Sequence, residues 1–189
     1  MRISKKARRQ QILVVTATLI EAKGFNGIVT KDIASRAEVS DTLIFRHFGS
    51  LEDLYREVCD EFIQNIVSVP LDVKSDSISS FIKSFAQQVI AHNLDNPQPL
   101  RLLTRAQLER PDYVKGVQRS FYESGALLEL EHLFKEHGYS VEKARAYTRF
   151  LLSALLEMLR NYLVYNTTTS SPDPKKSADF LTAMICDSV

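Results

Sequence analysis

The segment from Ile12 to Leu54, ILVVTATLIEAKGFNGIVTKDIASRAEVSDTLIFRHFGSLEDL, constrains this chain most. It holds two short helical patterns joined by a tight turn and followed by an aromatic-rich helix end. Ile12, Val15, Leu19 and Ala22 recur at i, i+3, i+7 and i+10 on one face of a first helix. Gly24 is placed to end that helix with a left-handed residue. Phe25 then turns the chain back toward the core. Thr30 is the expected cap of a second helix, whose inward residues are Ile33, Ala34 and Ala37, the small Ala34 letting a neighbouring helix cross closely. Val39 is the apolar plug of the turn. Ser40 offers its side-chain oxygen to the free N–H groups of a third helix running to about Phe48. Helix, short turn and capped helix make a helix-turn-helix.

Gly24-Phe25, Thr30, Ile33-Ala34, Ala37-Glu38-Val39-Ser40, Phe45-Arg46-His47-Phe48 and Ser50-Leu51-Glu52-Asp53-Leu54 stand in the order and spacing of a known pattern. By these residues the segment resembles the DNA-binding region of the TetR family of transcriptional regulators, over roughly a quarter of the chain. Three positions depart from the family. Glu38 stands where Gly is usual in the turn, so the backbone there either avoids the left-handed region or carries strain. Phe45 replaces a usual Tyr and Leu51 a usual Lys, both of which commonly touch phosphates in the family. Fewer anchors per half-site imply weaker salt-dependent affinity.

The resemblance implies an all-α fold. Residues 1–50 would form the helix-turn-helix DNA-binding domain, and residues 51–189 a larger helical effector-binding and dimerisation domain. It implies a regulator, most often a repressor, that binds a palindromic operator as a dimer and is released by a small-molecule effector, with no cofactor. Carried over position by position, the DNA-binding residues are Thr30, Lys31, Ser40, Asp41, Thr42, Leu43, Phe45, Arg46 and His47. By their chemistry, Arg46 can fork onto a guanine, Asp41 can accept from a cytosine amine, and Thr42 or Leu43 can touch a thymine methyl. Ser40, Thr30, Lys31 and His47 suit phosphates. Phe45 and Phe48 serve equally as packing residues, and for Phe48 packing is the preferred reading.

Charge distribution agrees with that division. Net charge is only +1. Residues 1–50 nevertheless hold nine Lys/Arg against four Asp/Glu, and residues 51–189 hold fifteen against nineteen. The positive end coincides with the helix-turn-helix, as a DNA footprint requires. Arg2, Lys5, Lys6, Arg8 and Arg9 are candidates to reach along a groove or backbone; alone, such a run reads as a solvated terminus. No apolar run is long enough to span a membrane, and no leader pattern precedes the first helix, so a cytoplasmic location is expected. Cys59 and Cys186 lie far apart without CxxC spacing and read as structural thiols.

Beyond Leu54 helices follow one another between clear breakers. Ser50 and Asp53 are a capping pair for a fourth helix expected to reach about Val69, before Pro70. Ile78, Phe81, Ile82, Phe85, Val89 and Ile90 form the stripe of a fifth, ended near Asn96-Pro97, and a short sixth runs from about Leu100 to Glu109. After Pro111-Asp112 a helix carrying Val114, Val117, Phe121, Leu128 and Leu133 is expected to stop at Gly138. No segment alternates with period two.

A helix from about Val141 to Asn166, capped by Ser140, shows one narrow polar stripe of Arg149, Ser153, Glu157 and Arg160, with apolar residues around the rest. A surface helix needs only one apolar face, so this one is expected to be covered on two sides, one of them by a second subunit; complete burial within the monomer is the alternative. With a last helix from Asp173-Pro174 to about Asp187, it supplies the candidate dimer interface: Phe150, Leu151, Ala154, Leu155, Met158, Leu159, Tyr162, Phe180, Leu181 and Met184. Two such helices per subunit would pack as a four-helix interface across a two-fold axis, placing two third helices about 34–36 Å apart for successive major grooves.

The resemblance further implies an effector site among helices four to eight. Phe62, Phe81, Phe85, Phe121 and Tyr122 are the candidate aromatic walls, with His92, Arg105 and Gln107 as polar anchors. The surplus of apolar side chains favours a hydrophobic effector. Enzyme readings find no HExxH, GxSxG or Gly-rich phosphate loop, and His132 with Glu136 makes two metal-ligand candidates without a third, so no metal site and no enzyme is expected. The competing reading is a helical protein-interaction or small-molecule-binding module without specific DNA binding.

Overall fold

The computed structural model describes residues 4–66, 77–115, 125–165 and 173–186. These form α1 (Lys5–Lys23), α2 (Thr30–Arg36), α3 (Asp41–Phe48), α4 (Leu51–Gln64), α5 (Ile78–Asp95), α6 (Gln98–Glu109), α7 (Gly125–Glu136), α8 (Val141–Leu163) and α9 (Pro174–Cys186), with a further helical stretch at 111–115. No strand occurs among the described residues, and the protein is all-α. None of these helices is long and apolar enough to cross a membrane.

The chain gathers into two compact units. The first comprises Met1–Gln64 and Gln98–Val117, the second Asn65–Pro97 and Gln118–Val189. Helices α4 and α6 both belong to the unit that holds the helix-turn-helix.

In the first unit, α1 starts at Ser4, whose Oγ accepts from the Ala7 N–H at 3.1 Å, and stops at Gly24, at φ 75°. Its buried residues are Ile12, Leu13, Thr16, Ala17, Leu19 and Ile20. The expected stripe through Val15 and Ala22 is thus rotated: Val15 is half-buried and Ala22 exposed. The reason is tertiary, because α1 is covered by both α4 and α6, which widens the buried arc beyond one stripe. Thr16 sits in that arc with its hydroxyl satisfied by the Ile12 carbonyl at 2.7 Å. Phe25 is buried as expected and meets Tyr55 and Tyr113 edge-on, at centroid distances of 5.4 and 5.9 Å.

The cap of α2 differs from the expectation. Thr30 is already helical and Val29 is the N-cap residue; its N–H donates to Asp32 Oδ2 at 3.1 Å. An acidic side chain two residues into the helix serves the first turn, so the Thr30 hydroxyl is not needed there. Ile33, Ala34 and Ala37 are buried and Val39 half-buried. Helix α4 begins on the expected pair, with Ser50 Oγ accepting from the Asp53 N–H at 3.0 Å and donating to Asp53 Oδ2 at 2.6 Å. It ends at Gln64, and its expected extension to Val69 runs into residues outside those described.

In the second unit every expected residue of the α5 stripe is buried: Ile78, Phe81, Ile82, Phe85, Val89 and Ile90. Ser77 caps this helix through the Ser80 N–H at 3.2 Å, and Asn96 ends it. In α7 the inward residues are Leu127, Leu130 and Phe134; Leu128, expected inside, is 51% exposed, and Leu133 is half-buried. Val117 and Phe121 lie outside the described residues. Gly138, at φ 87°, stands just past the end of α7, and the Tyr139 N–H bonds back to the Phe134 carbonyl at 3.1 Å. Ser140 caps α8 through the Lys143 N–H at 3.3 Å, and α8 ends at Leu163. Phe134, Tyr139 and Tyr147 form an aromatic trio with centroids 5.2 to 5.7 Å apart. Cys186 is half-buried; in the first unit Cys59 is fully buried, and that burial pushes its thiol up to about 12.

Candidate nucleic-acid interface

Helix α3 has eight residues, and only two of them, Ile44 and Phe48, are buried. The i, i+4 spacing of that pair turns the rest of the helix outward. Thr42, Phe45 and Arg46 are exposed, Phe45 by 44%, while Asp41, Leu43 and His47 are half-buried. Ser40 is exposed, and its Oγ accepts from the Leu43 N–H at 3.2 Å, so the hydroxyl expected at a phosphate also caps the helix. On α2, Lys31 is exposed and Thr30 half-buried. The residues expected to read bases and those expected to touch phosphates therefore occupy the same short segment, with α3 presenting its exposed side. Phe48 packs inward and is only 7% exposed.

The turn ahead of α3 contains Glu38 at φ 54°, so the backbone takes the left-handed path that the family's Gly would follow without cost. Its neighbours pair normally, with the Val39 N–H bonded to the Ala34 carbonyl at 3.0 Å.

Electrostatics around α3 are cationic. The His47 imidazole has its pKa lowered, first by burial and then by Arg46, Arg9, Lys5 and Arg8, and its Nδ1 is buried without a hydrogen-bond partner. The ring is therefore neutral at pH 7. Of the N-terminal basic residues, Lys5 and Lys6 in the first turn of α1 are exposed, and Arg2 lies outside the described residues. Arg8 bonds Gln11 Oε1 at 2.9 Å. Arg9 is not extended toward solvent: it donates to the His47 carbonyl and to Glu57 Oε2, and its guanidinium lies 4.3 Å from the centre of the Phe48 ring. Sequence reasoning missed this arrangement, and a lone Arg in a basic run carried no local signal for it.

The remaining candidates divide between the units. Phe62, Arg105 and Gln107 belong to the first and Phe81, Phe85 and His92 to the second; Phe121 and Tyr122 lie outside the described residues. Arg105 ties α6 internally and to α1, donating to Glu109 Oε1 at 3.1 Å and to the Glu21 carbonyl at 3.4 Å. Phe81 and Phe85 are buried and stacked at 6.4 Å, and His92 Nε2 lies 2.9 Å from the Asn65 carbonyl. Asn93 was not anticipated: fully buried, it donates to the Ile66 and Val89 carbonyls at 3.1 and 2.8 Å, while its Oδ1 has no partner. An Asn inside the apolar VIAHNL run was its only signal.

Of the interface candidates on α8 and α9, Leu151, Leu155, Leu159 and Leu181 are buried within the unit's own core. Phe150, Phe180 and Met184 are exposed by 46%, 64% and 43%, and Ala154, Met158 and Tyr162 are half-buried. Phe150 and Met184, with Ala146, Tyr147 and Ile185, line an open apolar groove of about 350 Å³. His132 pairs with Glu136 at 3.2 Å on the exposed side of α7, and no group of three metal-ligating side chains occurs among the described residues.

A capped eight-residue helix, exposed on one side and set behind a tight turn, defines a helix-turn-helix unit. Residues 12–58 match the family model of bacterial regulatory proteins, tetR family, so the helix-turn-helix is similar to that of the TetR family. A 67-residue stretch is 31% identical to the HTH-type transcriptional activator FasR of Mycolicibacterium smegmatis, covering 35% of this chain and 31% of that protein; the chain thus matches about a third of the length of this curated relative. The fold as a whole is similar to a TetR-like transcriptional regulator from Rhodococcus sp. RHA1, at a TM-score of 0.75 and 18% identity over 99% of this chain and 98% of that one. It is also similar to a TetR variant from Acinetobacter baumannii solved in complex with minocycline, at a TM-score of 0.61 and 13% identity over 98% and 96% of the two chains.

Proposed function

We propose that this protein is a TetR-type transcriptional regulator that binds a palindromic operator as a homodimer and is released from it by a small, hydrophobic effector. The observation that carries the reading is α3, whose buried Ile44 and Phe48 leave Thr42, Phe45 and Arg46 exposed on one side of a capped helix within a TetR-family segment. Arg46 is the base-reading residue, forking onto a guanine, with Asp41, Thr42 and Leu43 beside it. Lys31, Thr30, Ser40 and His47 hold phosphates. Phe150, Phe180 and Met184, exposed and apolar on α8 and α9, support a two-fold contact with a second copy. The minocycline complex of the Acinetobacter baumannii protein supports a small-molecule effector. The direction of control is proposed as repression, the common mode of the resemblance, although FasR is named an activator.

Selection of bound sequences from random duplex DNA by the purified protein, at two salt concentrations, tests the reading. Enrichment of a palindrome with half-sites about one helical turn apart is expected. Recovery of only unspecific, strongly salt-sensitive binding would favour the interaction module, for which Leu51 and the exposed Phe45, in place of the usual Lys and Tyr, are the motivating observations.

A further inference from the structure

Two buried side chains are a thin anchorage for a helix that must present its outer side at a defined angle. In α3 that inner pair is Ile44 and Phe48, and the last carbonyls of the helix lack intrahelical donors. The first turns of α1 supply what is missing. Arg9 donates to the carbonyl of His47 and lies 4.3 Å from the centre of the Phe48 ring, so that one guanidinium engages both final residues of α3. The same guanidinium bonds Glu57 of α4. Two residues on, Gln11 Nε2 donates to the Ala37 carbonyl at 3.0 Å, at the start of the turn that leads into α3. Both ends of the turn-plus-α3 segment are thus braced from α1.

We propose that Arg9 is a positioning residue for base reading: paired with Glu57, it sets the angle of α3 through the His47 carbonyl and the Phe48 ring, and it takes no phosphate. The inference rests on the DNA-binding reading above. Its basic neighbours Lys5 and Lys6 remain exposed and available to the backbone of DNA. Arg9 differs from them because its donors are directed at a carbonyl and a carboxylate within the protein, a forked geometry that a Lys cannot reproduce.

Arg9→Gln, Arg9→Lys and Glu57→Gln separate positioning from a phosphate contact. Each purified full-length variant, checked for wild-type helicity, is titrated over a range of salt with the selected operator duplex and with a scrambled duplex. Positioning predicts that Arg9→Gln binds the operator about tenfold more weakly, equivalent to one misaligned bidentate base contact. Its salt slope stays at the wild-type value, and its binding to the scrambled duplex falls by less than its binding to the operator. Arg9→Lys shows the same loss despite keeping the charge. Glu57→Gln is weaker on the operator, although removing a carboxylate near DNA would by charge alone tighten binding. A salt slope reduced by about 0.9 in Arg9→Gln, with parallel loss on both duplexes, would make Arg9 a phosphate anchor and overturn the proposal. Unchanged or tighter operator binding by Glu57→Gln would overturn it too, and that variant remains decisive if the Arg9 variants do not fold. A wild-type protein that fails to distinguish the two duplexes is a separate result, seen before any variant, and removes the DNA-binding reading along with this one.

Discussion

The carboxylate of Glu109 accepts a hydrogen bond from the backbone N–H of Phe25 at 2.8 Å, joining the end of α6 to the turn after α1 across 84 residues of sequence. A Cβ on Gly24 would meet the same carboxylate at 2.7 Å, and Gly24 is at φ 75°. Glycine, the neighbouring N–H and a distant carboxylate therefore form one connection within the first unit. Glu109→Ala leaves the Phe25 N–H without its partner and is expected to cost about 1–3 kcal/mol in urea denaturation, with Glu109→Gln costing less. Gly24→Ala costs about 1–3 kcal/mol through its backbone conformation alone, before the close approach is counted. The double variant should lose less than the sum, since removing the carboxylate removes the clash.

Glu38 holds a left-handed conformation in the turn before α3. Strain of about 1–3 kcal/mol is offset by about 0.4–1 kcal/mol of unfolded-state entropy when Gly replaces it. Glu38→Gly should therefore raise the unfolding free energy by about 1 kcal/mol. A loss of stability in the same denaturation experiment would show that the Glu38 side chain supports the turn.

Arg46 is exposed on α3 and carries the proposed guanine contact. Arg46→Ala is expected to weaken operator binding by about 1–3 kcal/mol and to relax the preference at one base position in each half-site. A binding profile identical to wild type across single-base operator variants would rule that contact out.

The neutral state of His47 predicts a pH dependence. Its folded pKa lies below the usual imidazole value of 6.5, through burial first and the Arg46, Arg9, Lys5 and Arg8 cations second. As pH falls through that value the unfolded chain takes the proton before the folded one. Stability from this group is complete above pH 6.5, declines as pH falls, and levels off below the folded pKa. His47→Gln should flatten that part of the curve in urea denaturation at a series of pH values. An unaltered slope would assign the dependence to other groups.

Phe180 is 64% exposed on α9, where the proposed partner copy would sit, and Leu128 is 51% exposed on α7. Phe180→Asp should shift sedimentation from dimer toward monomer at unchanged helicity, whereas Leu128→Asp should remain dimeric. Equal behaviour of the two would place the subunit contact elsewhere.

Features that depend on a few neighbouring residues were legible without the fold. Ser40 and Ser140 cap the helices they precede, Ser50 and Asp53 pair at the start of α4, and Gly24 and Gly138 close α1 and α7, because each acts through backbone groups three to five residues away. The α5 stripe was complete for a similar reason: its period alone selects the buried face when one face is buried.

Burial from two directions was not legible, because hydrophobic period cannot say how many neighbours a helix has. Within the first unit α4 and α6 both cover α1 and rotate its buried arc away from Val15 and Ala22. In the second, packing commits Leu151, Leu155 and Leu159 to the interior while leaving Phe150 outside. The assignments of long polar side chains were equally tertiary. Arg9 reaches a carbonyl 38 residues away and a carboxylate 48 residues away, and Arg105 reaches the Glu21 carbonyl, tying α6 to α1. The chain's own sequence determined the caps of α3, α4 and α8 and which family its helix-turn-helix resembles, since caps and short spacings are local. Which charges are free to meet DNA was decided only by the fold, because a guanidinium binds whichever carbonyl, carboxylate or ring the packed helices bring within its reach.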